Sequence, residues 1–240
     1  MMNEAQLHSE NSFITLTYED EPDELDHRDF QLFFKRLRKS VSPTPVRFFM
    51  CGEYGENLLR PHFHAAVFGY AFNPWTKWKK SGDNIIYRSS TLEKLWTHGF
   101  STVAPLTVET AAYIARYVTK KITGHRSHEH YTDLETGLIR KPEYAAMSLK
   151  PGIGSAWLEK YKDDVYPHDY LVVNGKKTRP PRYYDKKYLE TASLDEAIDL
   201  EQSRLEKAAL HEANNTWQRL ETRHQHAIHL NSKFNKRGLK

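Results

Sequence analysis

Two histidines, His62 and His64, flank Phe63 in the apolar run Pro61-His62-Phe63-His64-Ala65-Ala66-Val67-Phe68. Alternate side chains of a strand share a face, so both imidazoles project to one side and Phe63 to the other. Paired imidazoles on rigid backbone make half of a divalent-metal site, while Phe63 anchors the strand in a core. Downstream runs Tyr113-Ile114-Ala115-Arg116-Tyr117-Val118-Thr119-Lys120-Lys121. On a helix Tyr113, Tyr117 and Lys120 fall at i, i+4 and i+7, a single stripe. A metal ion beside a pair of tyrosine nucleophiles is chemistry for breaking and rejoining a phosphodiester bond.

Neither half of this constellation is specific alone. With 13 histidines in the chain, chance gives about 0.7 His-x-His pairs. Two further pairs occur, His128/His130 and His224/His226, and Tyr166/Tyr170 and Tyr184/Tyr188 repeat the tyrosine spacing. Context separates them. Only His62 and His64 bracket an aromatic residue within an apolar strand, and only Tyr113 and Tyr117 lie in a clear helical pattern followed by lysines. The other histidine pairs sit in polar surroundings and read as solvated side chains.

Two imidazoles do not complete a cation site for phosphate chemistry; an oxygen ligand is needed. Glu53 and Glu56 both precede His62. Glu53 closes the strand expected to pair with the histidine strand, so its carboxylate reaches the imidazole face and is favoured. Glu56 stands further out, and Glu19 and Asp20 are more distant competitors.

Several elements must position these groups. Residues 13–18 (Phe-Ile-Thr-Leu-Thr-Tyr) read as a strand, ended by an acidic, proline-containing stretch. Phe30, Phe33, Phe34, Leu37 and Val41 mark an amphipathic helix whose opposite face carries Lys35, Arg36, Arg38 and Lys39, a face read as solvated. Residues 46–52 form a strand that returns through a glycine-containing loop to pair antiparallel with the histidine strand. Residues 73–82 read as a loop in which Trp75 and Trp78 could stack on bases while Lys77, Lys79 and Lys80 meet phosphates. A short helix is expected over 91–97, a strand over 100–103 and the tyrosine helix over 107–122, stopped by Gly124. The stretch 125–154 is polar and reads as irregular. Beyond it come a helix over 155–165, a hairpin at Asn174-Gly175, an extended arm at 180–184 and, from residue 194, one long polar helix.

Composition sets the outer bounds. A chain of 240 residues with 39% hydrophobic content supports one substantial core with an appendage. Its net charge of +4 is a mild basic bias, compatible with nucleic acid without demanding it. Cys51 is the single cysteine, which excludes a disulfide framework and a cysteine-based zinc site. No apolar run approaches the ~20 residues of a membrane span and no signal peptide opens the sequence, so a soluble protein of a reducing compartment is expected.

Gly52-Glu53-Tyr54-Gly55, then Arg60-Pro61-His62-Phe63-His64, then the tyrosine stripe together resemble the HUH endonucleases, in which U denotes a hydrophobic residue. More narrowly, the sequence resembles the replication initiator proteins of the small single-stranded DNA phages, the Microviridae of gokushovirus type. Residues 13–21 resemble that family's first motif. Lys141-Pro142-Glu143-Tyr144 with Met147-Ser148, and Pro151-Gly152-Ile153-Gly154, resemble its later segments. The resemblance covers roughly residues 4–190. Relatives usually carry a cysteine-containing segment before the counterpart of Glu4-Ala5-Gln6-Leu7, so this sequence reads as a shortened form.

The resemblance implies an α+β fold, HUH endonuclease-like, with a mainly antiparallel central sheet flanked by helices. Residues 1–190 would form the endonuclease domain and residues 191–240 a polar helical C-terminal extension. It implies a rolling-circle replication initiator with Mg²⁺ or Mn²⁺ held by Glu53, His62 and His64, and with Tyr113, Tyr117 and Lys120 as catalytic residues. Tyrosine attack would leave a 5′-phosphotyrosine and a free 3′-OH, and reversal would release circular single-stranded DNA. Implied partners are single-stranded DNA at the replication origin and the host replicative helicase and polymerase, in the host bacterial cytoplasm.

Two rival readings have discriminators. A histidine-triad hydrolase needs a third histidine where the chain has Ala66. A non-enzymatic nucleic-acid-binding module with a structural metal explains the basic, aromatic segments but gives the tyrosine stripe no task.

Overall fold

The computed structural model describes all residues except 56–58, 82–83, 118–121, 123, 134–135, 167 and 236–240. The fold is α+β. In the first of two compact units, Met1–Gly154, the elements run α1 (Met2–Ala5), β1 (Asn11–Tyr18), α2 (His27–Ser40), β2 (Arg47–Tyr54), β3 (Pro61–Phe68), β4 (Thr76–Ser81), β5 (Asn84–Arg88), α3 (Ser90–Leu95), β6 (Gly99–Pro105), α4 (Val108–Tyr117), α5 (Arg126–Tyr131) and β7 (Tyr144–Met147). The strands form one sheet in the order β4-β5-β6-β1-β3-β2-β7, with antiparallel pairing throughout.

Alternation along β1, β2 and β3 divides the sheet into two apolar faces. On one face Ile14, Leu16, Met50, Phe63, Ala65 and Val67 pack beneath α2, whose Phe30, Phe33, Phe34 and Leu37 are buried at helical spacing. Phe63 is fully buried, which contributes about 2–3 kcal/mol. α2 starts where the Asp26 side chain accepts a hydrogen bond from the Arg28 amide. Its basic residues are not all simply solvated. Arg36 donates to the Leu95 carbonyl, and Arg38 donates to the Val46 carbonyl while lying over the Phe34 ring.

The opposite face carries Phe13, Cys51, Ala66, Phe68 and Ala104, packed against Ile114 and Tyr117 of α4. At the start of α4, Thr107 and Thr110 exchange hydrogen bonds between side chain and amide, which fixes the helix entry and hence the phase of its tyrosines.

The sequence-based expectations need four corrections. The Trp- and Lys-rich stretch is not a loop. It is β4, an edge strand paired with β5 through a register shift between Lys77 and Lys79. That irregularity breaks the period-2 signal. The region 125–154 also contains regular structure: α5, and β7 paired with β2 along Phe49–Gly52. The predicted extended arm turns helical at Arg182, because Pro181 suits the entry to a helix. The long C-terminal helix is two helices, interrupted at residues 210–216.

The second unit, Ser155–Lys240, contains α6 (Ser155–Val165), a hairpin of β8 (Leu171–Val173) and β9 (Lys176–Thr178), α7 (Arg182–Leu189), α8 (Leu194–Ala209) and α9 (Trp217–Asn235). Asn174 and Gly175 both have positive φ, as the tight turn expected there requires. Leu158, Val165, Tyr166, Leu171, Tyr184 and Leu200 form a small core. Arg204 of α8 joins Asp169 at 2.6 Å and Asp185 at 2.9 Å, tying α8 to the residues before it. The boundary expected near residue 190 therefore falls inside this unit, between α7 and α8.

Candidate active site

Glu53 and His62 are direct partners across the β2–β3 ladder, and Cys51 and His64 are the next pair on the same face. The strand pairing predicted for these segments thus places the favoured carboxylate against both imidazoles. Glu53 Oε1 lies 2.7 Å from His62 Nε2 and 3.0 Å from His64 Nε2. Ligand atoms of all three side chains lie within 4.8 Å of one another, and they form the one such group among the described residues. His128/His130 and His224/His226 form no comparable cluster there. Glu56 and Lys120, both named from the sequence, lie outside the described residues.

Both rings are held from behind. His62 Nδ1 is 2.9 Å from the Arg60 carbonyl, which can only accept, so this nitrogen carries a proton. His64 Nδ1 is 2.9 Å from Thr15 Oγ1. Each Nε2 is thereby turned toward Glu53, the arrangement that outer hydrogen bonds give to metal-ligating histidines. With its proton on Nδ1, a neutral His62 presents a lone pair to a carboxylate oxygen. Two acceptors at that distance need a cation between them, whether a second proton or a metal ion. The donor set, two imidazoles and one carboxylate, suits Mg²⁺ or Mn²⁺ and leaves further coordination positions for substrate oxygens.

Burial works against ionisation of Glu53, which is 2% exposed. Hydrogen bonds and charge from His62 and His64 outweigh it and hold the carboxyl below its ordinary range. Glu53 is therefore an anion ready to bind a cation at neutral pH.

α4 brings both tyrosines to this group. The Tyr113 hydroxyl is 3.4 Å from His64 Nε2, and the Tyr117 ring stacks on the His64 ring at 5.6 Å between centroids. The two tyrosine rings meet at 4.8 Å in a T-shaped contact. Tyr113 is half-buried, whereas Tyr117 is buried. Burial, then the Glu53 charge, push the Tyr117 phenol well above its ordinary value, so that phenol keeps its proton in the metal-free protein. Thr15 is the residue that sequence reasoning missed. Only the β1–β3 register, which pairs Thr15 with His64, could have singled it out.

The comparisons agree with this geometry in extent. Residues 11–122, which span β1 through α4, match the family model of the replication-associated protein ORF2. The chain is 32% identical over 200 residues to the replication-associated protein VP4 of Bdellovibrio phage phiMH2K, covering 78% of this chain and 60% of that protein. It is 30% identical over 214 residues to the replication-associated protein ORF4 of Chlamydia phage 1, covering 82% and 51%. A third relative, replication-associated protein ORF2 of Spiroplasma virus 4, is 28% identical over 221 residues, covering 83% and 64%. The matched regions thus span between half and two thirds of these relatives. No solved structure matches the chain. With a family model covering the sheet strands and the tyrosine helix, and three phage relatives aligned along most of its length, the chain belongs to the ORF2 family of phage replication-associated proteins.

Proposed function

We propose that the protein initiates rolling-circle replication as an HUH-type endonuclease, nicking one DNA strand at an origin by tyrosine attack. The observation that carries this reading is the convergence of Tyr113, His64 and Glu53 on one point, with Tyr113 Oη 3.4 Å from His64 Nε2 and that nitrogen 3.0 Å from Glu53. His62, His64 and Glu53 would hold a divalent cation. Bound there, Mg²⁺ or Mn²⁺ would offset Glu53, draw the scissile phosphate to the tyrosines and stabilise the charge that builds on its oxygens.

The chain's own groups do the rest. The phenolic oxygen of Tyr113 or Tyr117 bonds to phosphorus as the P–O3′ bond breaks, and the phenolic proton passes to the departing oxygen to give a 3′-OH. The product is a 5′-phosphotyrosine. One phosphodiester has replaced another, so reversal rejoins strands without a nucleotide cofactor. A second tyrosine one turn away permits a second cleavage while the first is still loaded, which would close a circle of unit length. Lys120 would favour the phenolate if the helix stripe continues to it.

The supporting surface is basic and aromatic. β4 exposes Lys77, Trp78, Lys79 and Lys80, with the Lys79 ammonium over the Trp78 ring at 4.8 Å. No helix of the described residues is long and apolar enough to cross a membrane. Action in the host bacterial cytoplasm, alongside host helicase and polymerase, follows from the proposed reaction.

A denaturing gel of the protein with labelled single-stranded origin DNA and Mn²⁺ tests the reading. The expected result is a covalent adduct that disappears with EDTA. Binding without any adduct would instead identify a nucleic-acid-binding module with a structural metal.

A further inference from the structure

The row of side chains that carries the site continues past His62. Glu53 pairs with His62, His62 with Thr17, and Thr17 with Phe100. Direct partners in antiparallel strands share a face. Phe100 therefore stands on the face that bears the triad, two strands from His62, or about 10 Å at ordinary strand spacing.

Elsewhere on this face α4 covers the apolar side chains, and Phe13, Ala66, Phe68 and Ala104 are buried. Phe100 is not covered; it is 54% exposed. Its neighbours on the strand, Ser101 and Val103, do the packing on the other face. A threonine or valine at position 100 would serve the strand as well without exposing an aromatic ring. The backbone fixes its place. Gly99 has φ +142, and a Cβ there would lie 2.2 Å from the Glu19 amide nitrogen, so β6 meets β1 at a point only glycine allows.

The same face becomes basic further out. Tyr87 pairs with Val103 and shares its face, so Ile86 and its partner Lys79 lie on the face of Phe100. We infer that Phe100 is a stacking platform for a base of single-stranded DNA beside the phosphate held at the triad. This rests on the proposed reading of the site. A ring next to a phosphate-binding group, with lysines beyond it, matches the alternation of base and phosphate along one strand. An apolar pocket of a partner protein would have no use for those cations. Every base has a π-face, so the platform fixes where the strand lies without selecting its sequence. Bases stacked in a duplex cannot reach it.

The test uses the full chain carrying Tyr113→Phe and Tyr117→Phe, so that binding is read without cleavage. The probes are a fluorescent oligothymidylate of about 20 nucleotides and its abasic counterpart, compared at one salt concentration. Stacking of one base is worth about 1–3 kcal/mol, so Phe100→Ala should weaken oligothymidylate binding about 5- to 150-fold. Binding of the abasic strand should not change, and Phe100→Trp should restore the loss. An equal loss on both probes, or none on either, overturns the platform. The adduct gel with the tyrosines intact separates the two ideas. A base-dependent Phe100 effect without any adduct removes the nuclease reading and keeps the platform, and an adduct without that effect does the reverse.

Discussion

The Tyr113 hydroxyl and the Glu53 carboxylate approach the same nitrogen, Nε2 of His64, at 3.4 and 3.0 Å. A group proposed to attack phosphorus and a group proposed to hold the activating cation thus share a neighbour on a central strand. The helix supplies one and the adjacent strand the other, so their relative placement depends on how α4 seats against β2 and β3.

The triad is the first target. His62→Ala and His64→Ala should each abolish adduct formation, and Glu53→Gln should reduce it at least 100-fold. EDTA should mimic these variants reversibly, with Mn²⁺ or Mg²⁺ restoring activity. Full activity of the double histidine variant would end the metal-dependent reading. Because the Glu53 carboxyl is held below its ordinary range, any folded-state stabilisation it provides is present above the unfolded carboxyl value and is lost as pH falls through the depressed one. Acid should therefore weaken the site at Glu53 last, which a pH series with Glu53→Gln as reference can check.

Thr15 is a positioning residue. Thr15→Val keeps the shape and removes the hydroxyl 2.9 Å from His64 Nδ1. Outer-ligand changes of this kind typically lower metal affinity by about 10- to 100-fold. Calorimetric titration with Mn²⁺ should show that loss while the melting midpoint moves little. Restoration by Thr15→Ser would separate the hydrogen bond from packing; unchanged affinity in Thr15→Val would remove the assigned role.

The two tyrosines should be unequal. Tyr113 presents its hydroxyl to the triad, while Tyr117 is buried with its proton held firmly. On a simple oligonucleotide, Tyr113→Phe should lose more of the adduct than Tyr117→Phe. Both single variants should fail to release closed circles from a replicating template, and the double variant should form no adduct. Normal circle release by one single variant would reduce the mechanism to one tyrosine.

Arg204 lies outside the proposed chemistry but holds its own unit together. Its removal leaves Asp169, whose side chain is 9% exposed, without its cation. Arg204→Leu should destabilise the second unit by about 2 kcal/mol, read by urea unfolding. Adduct formation should be retained. Trimming the chain after Leu189 should show the same pattern, because it deletes the same arginine.

How much of this was legible beforehand depended on the range of the interaction. Face assignments are local. His62 and His64 share a side because strand side chains alternate, and Tyr113 and Tyr117 form a stripe because helical residues four apart are neighbours. Sequence alone therefore exposed β1, α2, the β2–β3 pair, α4 and the three candidate ligands. It misread β4 because the irregularity at Trp78 interrupts alternation, and it passed over β7 because four residues at a sheet edge give too short a pattern. It took residues 194–235 as one helix because a short polar interruption looks like the helices on either side. What only the tertiary structure decided is which strand lies beside which. Thr15 behind His64, and Phe100 in the row of Glu53 and His62, are consequences of register between segments up to about 80 residues apart. Periodicity sets the face a side chain occupies, but its neighbours across the sheet are set by hydrogen-bond pairing between distant segments, which local spacing does not encode.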